Sequence, residues 1–361
     1  MDRERARVSD GGLEHGSAST GFRCVPVPPE RRLAAAERLL APGTTDRAKA
    51  AERFLDAAPR FGIDFDWSRA TLGVRNECPV RQVALAVAGA GRTAMLFVSG
   101  PGASAACGGE DEQNAERAAC VRAIGAALID MVDAHGMPGV ALAQALPEPT
   151  EHWAIAAYAR AGFTHIGELA YLRRPLRARD RGDSARLPAL PVQYRLRSVE
   201  SMGGLSQATP SLGVALERSY IDTLDCPGLC GLRATRDVIE SHRATGVWDP
   251  GLWFVLEHAR EGPMGALLLN PSPENGGVEL VYLGLAPGAR GQGIARELLA
   301  HGIAASARTG LPSLTCAVDR GNTPAMRLYE RFGFVERGRR VAFVARPADL
   351  AGTPGARDRQ G

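Results

Sequence analysis

Apolar positions fall into two successive series along the chain. In the first, residues 82–88 and 93–98 are apolar runs separated by Gly89 and Gly91, the pattern of a β-hairpin. Residues 115–134 carry an apolar face at helical spacing. A short strand is predicted at 140–146, a helix at 152–161 ended by Gly162, and a returning strand at 163–172. In the second series, 192–199 alternates as a strand, and 211–224 and 236–245 predict helices. Strands follow at 253–257, 264–269 and 278–285. A helix at 294–308, a strand at 313–318, a helix at 324–332 and a strand at 335–345 close the pattern.

The two series match at one fixed shift, which carries Ala154 onto Ala325, Tyr158 onto Tyr329, Arg160 onto Arg331, Gly162 onto Gly333 and Phe163 onto Phe334. Matching residues in the same helix–Gly–Phe–strand context predict an internal duplication. The expected organisation is a disordered leader (1–20), a first unit (21–177), a linker (178–191), a second unit (192–347) and a flexible tail (348–361). The linker reading rests on alternating charges at Arg179, Asp180, Arg181 and Asp183, followed by Pro188 and Pro191.

Composition narrows the function classes. The 361 residues are 45% hydrophobic and 23% charged with a net charge of +3, an ordinary soluble profile. That balance makes no electrostatic case for nucleic-acid or membrane partners. Met1 to Thr20 lacks an apolar export segment, and no run of about 18 apolar residues occurs, so a cytoplasmic protein without a membrane span is expected. The seven cysteines are scattered. Cys226 and Cys230 are the only close pair, and nothing completes a metal site, so reduced structural thiols and no metal are expected.

The strongest chemical signal is a strand, a Gly-rich loop and a helix over 278–299. The loop reads Pro287-Gly288-Ala289-Arg290-Gly291-Gln292-Gly293-Ile294-Ala295. Such a loop turns backbone N–H groups toward one point at a helix N-terminus, where unpaired donors and the helix dipole suit an anion. Gly291 and Gly293 permit positive φ and leave no Cβ in a ligand's way. Arg290 adds a positive charge. A Walker loop would need a Gly-Lys-Ser/Thr ending, and no lysine is present here. A dinucleotide fingerprint starting at Gly291 fails at Arg296.

Arg290-Gly291-Gln292-Gly293-Ile294-Ala295 is similar to the Q/R-x-x-G-x-G/A motif of the GNAT superfamily of acyl-CoA N-acyltransferases. Downstream, Asn322 to Phe334 resembles that superfamily's N-x-x-A-x-x-L-Y-x-x-x-G-F pattern, with Asn322, Ala325, Leu328, Tyr329, Gly333 and Phe334 in register. The resemblance implies an α+β fold: a mixed, mostly antiparallel sheet flanked by helices, here as two tandem units. It implies acetyl-CoA as acyl donor and a primary amine of a small molecule or peptide as acceptor, attacked directly without a metal. The pyrophosphate would rest on Arg290, Gly291, Gln292, Gly293, Ile294 and Ala295. The pantetheine arm would lie along Leu283 and Leu285, with Asn322 and Ala325 beside it. Asn322 is equally suited to capping the next helix.

Tyr329 resembles the tyrosine that attends the departing sulfur. With a phenol near 10 and a thiol near 8.5, full proton transfer is uphill by about 2 kcal/mol, so a hydrogen bond to the developing thiolate is expected. The acceptor amine must be neutral. Glu279 is the candidate base, by its similarity in spacing to the catalytic glutamate of the superfamily's histone acetyltransferases. Period-two alternation places Glu279, Val281, Leu283 and Leu285 on one face. Tyr220, Asp222, Asp225, His242, Trp248 and Asp249 are candidate acceptor contacts.

The first unit resembles a degenerate copy. Its counterpart of the phosphate loop holds Glu110, Asp111 and Glu112, whose charge would repel pyrophosphate, and Glu151 stands where the second unit has Asn322. The tandem arrangement also resembles the mycothiol synthase family, which acetylates an amine on a cysteinyl pseudodisaccharide. A different class, a non-catalytic acyl-CoA sensor or scaffold, would keep the loop without needing Glu279 or Tyr329.

Overall fold

The computed structural model describes residues 23–41, 43–73, 78–102, 108–132, 136, 139–181 and 190–351. The predicted leader and the tail from 352 lie outside them, as do residues 182–189 of the predicted linker.

Two copies of one element order follow each other. The first runs β1 (Val25–Pro26), α1 (Arg32–Leu39), α2 (Arg47–Ala57), β2 (Ser68–Leu72), β3 (Val80–Gly89), β4 (Thr93–Val98), α3 (Glu110–Asp130), β5 (Leu142–Ala145), α4 (His152–Ala161) and β6 (Thr164–Pro175). The second runs β7 (Tyr194–Ser198), α5 (Leu205–Tyr220), α6 (Thr235–Arg243), β8 (Trp253–His258), β9 (Gly262–Ser272), β10 (Gly277–Leu285), α7 (Ile294–Arg308), β11 (Ser313–Asp319), α8 (Thr323–Arg331) and β12 (Val335–Ala345), followed by α9 (Pro347–Ala351). The chain is therefore α+β in two tandem units. Helix α5 begins earlier than the apolar pattern predicts, because Pro210 lies inside it rather than at its entry. As the sixth residue of the helix, Pro210 forgoes the bond its N–H would make to the carbonyl of Ser206, a cost that the burial of Ala208, Leu212, Ala215 and Leu216 offsets.

Among the described residues all strands join one 12-stranded sheet in the order β1-β2-β3-β4-β5-β12-β6-β11-β10-β9-β8-β7. The centre of that order is a reciprocal exchange. Strand β6, the last of the first unit, lies antiparallel to β11 of the second, from Ser313↔Pro175 to Asp319↔Leu169. Strand β12, the last of the second unit, lies antiparallel to β5 of the first, at Phe343↔Ala145 to Ala345↔Ala143. The two exchanged strands also pair with each other. Each unit is thus completed by the other's final strand.

Helices cover both faces. On one face α3 and α4 pack over β3, β4, β5 and β12 through Leu96, Val121, Ile124, Tyr158 and Phe343. On the same face α7 and α8 pack over β9, β10, β11 and β6 through Leu269, Leu280, Leu299, Ile303 and Tyr329. On the opposite face α5 and α6 cover β8 and β9, with Leu212, Leu216 and Ile239 against Trp253, Val255 and Leu268. There α1 and α2 do the same for β2 and β3.

Three local expectations change. The linker is tied down at its start: Asp180 pairs with Arg174 at 2.8 Å, and Arg181 Nε donates to Ala307 O at 3.3 Å. The tail begins as an ordered helix, α9, whose Leu350 is buried against Gly125 of α3. Cys78 is disulfide-bonded rather than a reduced thiol; disulfide pairing depends on proximity in the fold, which spacing along the chain does not reveal.

The exchange makes a direct prediction. Residues 192–361 produced alone lack β6 and expose the edge of β11, so they are expected to aggregate or self-associate. Co-expression with residues 1–191 is expected to restore a 1:1 complex by size-exclusion chromatography with light scattering. A stable folded monomer of 192–361 would contradict the exchange.

Candidate active site

Strands β10 and β11 run parallel and pair only at Val278↔Leu314 and Glu279↔Thr315. Beyond those pairs they part, while β10 stays on β9 as far as Leu285↔Gly265. The parting opens a cavity of about 510 Å³ in the second unit, a size suited to a small-molecule site. Its walls come from four segments: residues 219–225 at the C-terminal end of α5 and just beyond it, Tyr282 to Leu285 of β10, the loop at 290–295, and Asn322 to Tyr329 at α8.

The loop has the geometry an anion needs. Gly291 and Gly293 sit at φ 73° and 78°, and a Cβ on either would meet open space. Gly293 is the N-cap of α7 and brings no side chain to its first turn. The N–H groups of Gly291, Gln292 and Gly293 donate to no backbone carbonyl among the described residues. Together with the free first-turn N–H groups of α7, they form a cradle at the positive helix end. Ile294 and Ala295 line the cavity beside it. Gln292 is exposed and turns away, its Nε2 donating to Gly288 O at 2.6 Å.

Arg290 lines the cavity, but its guanidinium is directed at the protein. Nε donates to Leu285 O at 2.9 Å, Nη1 to Asp222 O at 3.0 Å, and Nη2 to Ser219 O at 2.9 Å and Ile221 O at 2.7 Å. With most of its five N–H donors taken, it has little capacity left for a phosphate. The side chain instead ties the C-terminal end of α5 to the loop.

On the other wall Asn322 caps α8, its Oδ1 accepting from Ala325 N at 3.2 Å. Both residues face the cavity, with Leu283 and Leu285 opposite. Tyr329 lies at the cavity's inner end, edge-on to Phe334 at 5.2 Å. Burial, with the nearby Cys316 and Asp225, pushes its phenol well above the ordinary value, so it stays protonated and able to donate.

Glu279 is not where alternation puts it. The β10–β9 register slips between Leu280 and Tyr282, making Val281 a bulge residue. One extra residue reverses the alternation. Val278 and Leu280 before it, and Leu283 and Leu285 after it, pack toward α7. Glu279 is left on the α5 face, which Tyr282 continues after the bulge. It lies outside the cavity lining, next to Thr315, with Tyr171 of the exchanged β6 within electrostatic reach. Burial raises its pKa.

Of the acceptor candidates, Tyr220, Asp222 and Asp225 line the cavity. Burial pushes the Tyr220 phenol up to about 12. His242 packs on the Tyr282 ring at 5.5 Å, and burial lowers its pKa to about 4, so it is neutral at pH 7. Trp248 and Asp249 do not line the cavity. Trp248 packs edge-on to Trp253 at 6.2 Å, and Asp249 accepts from Gly251 N at 2.8 Å. Two features are not legible in the sequence, one a side-chain pair and one a strand irregularity. Ser219 and Tyr282 share a hydrogen bond of 2.6 Å on the cavity wall, and the bulge leaves Val281 outside the β10–β9 pairs. Neither carries a motif, and a bulge has no compositional signature.

The corresponding place in the first unit differs among the described residues, and residues 103–107 of its loop lie outside them. Tyr158, the counterpart of Tyr329, donates its hydroxyl to Leu96 O of β4 at 2.8 Å. Beyond β4, Arg117 donates to Ser99 O at 2.7 Å and Gly100 O at 2.9 Å, and Arg38 also bonds Gly100 O. Glu110, Asp111 and Glu112 are not loop residues as expected. They form the first turn of α3, where carboxylates suit the helix dipole.

Residues 224–334 match the Acetyltransferase (GNAT) family. The chain is 28% identical over 204 residues to a mycothiol acetyltransferase of Streptomyces avermitilis, covering 54% of this chain and 61% of that protein. It is 29% identical over 198 residues to the mycothiol acetyltransferase of Thermomonospora curvata, covering 48% and 65%. The chain thus spans less than two thirds of the length of these relatives. A GCN5-related N-acetyltransferase from Sphaerobacter thermophilus shares the fold at a TM-score of 0.50 and 17% identity, over 91% of this chain and 96% of that one. The second unit thus carries the match to the Acetyltransferase (GNAT) family, over residues 224–334.

Proposed function

We propose that the second unit transfers an acetyl group from acetyl-CoA to a primary amine of a small molecule or peptide by direct attack. One observation carries this reading: the unpaired N–H cradle at 291–295, the parted strands β10 and β11, and the protonated Tyr329 converge on a single cavity. The cradle suits a pyrophosphate, and the gap beside Leu283 and Leu285 suits an extended arm with amide groups. Tyr329 donates a hydrogen bond to the sulfur as negative charge develops on it. Glu279, on the face opposite α7, takes the amine's proton directly or through water. A narrower reading, acetylation of a mycothiol precursor, is favoured by the alignments with mycothiol acetyltransferases.

Incubation with acetyl-CoA and a panel of amines, including the mycothiol precursor, is expected to release thiol with at least one acceptor. Binding without turnover across the panel would point to a sensor instead. Tyr329→Phe is expected to lower kcat by about 10²-fold with little change in acetyl-CoA affinity, the loss associated with one transition-state donor.

Glu279 predicts two pH effects. As a base whose pKa burial raises, it is protonated as pH falls through that raised value, so kcat/KM declines there. Glu279→Gln should lower the rate and flatten that acidic limb; an unchanged profile removes Glu279 from the mechanism. Folding also disfavours its charged form, so its cost to stability appears as pH rises from the unfolded value of about 4.3 through the folded value. Glu279→Gln is therefore expected to raise Tm at pH 7, with the gain vanishing below about pH 4.

A further inference from the structure

The roof of the cavity is the short segment at 219–226, and its anchoring is unusual. At its first end the Arg290 guanidinium holds three successive parts of it, the carbonyls of Ser219, Ile221 and Asp222. At its other end two hydrogen bonds cross in opposite directions. Asp319 N donates to Asp225 Oδ1 at 2.9 Å, and Cys226 N donates to Asp319 Oδ2 at 3.1 Å. Between the anchors, Ser219, Tyr220, Asp222, Thr223, Leu224 and Asp225 face the cavity.

The backbone of this segment is held away from its preferred conformation. Asp222 and Cys226 adopt φ 49° and 44°, the left-handed region, which side chains other than glycine's enter at a cost. Ile221 and Leu224 remain 52% and 54% exposed, so apolar packing holds the segment only at its ends, through Tyr220 against Tyr282 and through buried Cys226. Between those ends its position depends on the two polar anchors.

The second anchor also depends on the first unit. Asp319 ends β11, and its carboxylate packs against Gly167 of the exchanged strand β6, where a Cβ would come within 2.8 Å of Oδ2. Just beyond the roof, Gly228 packs on Ile166 of β6, where a Cβ would come within 2.7 Å. The degenerate unit therefore supplies the floor against which the roof is fastened.

We infer that residues 219–226 form a strap over the cavity, with Arg290 and Asp319 as its two positioning residues, and that its release admits and frees acyl-CoA. This rests on the acyl-CoA reading of the cavity. It gives the motif arginine a different task from the one its charge suggests: it recognises protein carbonyls rather than phosphate. Opening requires the Arg290 fork to let go of three carbonyls or the Asp319 pair to separate, and either change relieves the left-handed residues.

Hydrogen–deuterium exchange over 219–226, paired with acetyl-CoA dissociation rates, tests this on the full chain. Arg290→Lys keeps the charge but loses the planar fork. Asp319→Asn weakens the distant anchor without approaching the cradle. Each is expected to speed strap exchange about tenfold in the absence of nucleotide, as fits the loss of a charge-assisted bond. Exchange in α3 should stay unchanged, which separates strap release from general unfolding. Each should also speed acetyl-CoA dissociation. Wild-type strap exchange in both variants overturns the inference, as does Arg290→Lys weakening binding only through a changed salt dependence. A loosened strap in a chain whose wild type never binds acetyl-CoA supports the anchors and refutes the acyl-CoA reading.

Discussion

The exchange of β6 and β12 is the constraint on which the rest of the structure depends. It converts two small sheets into one of 12 strands and buries both edges that the separate units would leave open. It also fixes β11 on its far side, against β6 along its whole length. With β11 held there and β10 held by β9, the two strands can part after only two paired positions without the sheet coming apart. The cavity is the consequence of that parting.

The two units show what becomes of the same opening under different side chains. In the second, Tyr329 has no side-chain hydrogen bond among the described residues and faces the gap. In the first, Tyr158 spends its hydroxyl on Leu96 O, and buried Arg117 and Arg38 occupy the carbonyls beyond β4. The first unit retains a structural task, since Gly167 and Ile166 of β6 meet Asp319 and Gly228 near the second unit's site.

Much of this was legible in the chain. Helix and strand periods located most elements, and the match of Tyr158 and its neighbours with Tyr329 and its neighbours revealed the duplication. Gly291 and Gly293 marked the cradle because positive φ and absent Cβ atoms are properties of the residue itself. The losses have a common cause. The strand exchange, the bulge at Val281, the disulfide at Cys78 and the partners of Arg290 depend on contacts distant in sequence. Alternation assumes an unbroken strand, so it put Glu279 on the wrong face. Charge alone suggested that Arg290 and the carboxylates at 110–112 speak to phosphate, whereas one is satisfied by carbonyls and the others begin a helix.

The proposed function places one acyl-CoA site in each chain, in the second unit. Calorimetric titration of the full chain with acetyl-CoA measures this directly. A stoichiometry of one per chain is predicted, lost when Gly293→Val places a branched side chain in the cradle and retained when Tyr158→Phe removes the bridge in the first unit. Two sites per chain, or binding that survives Gly293→Val, would contradict it.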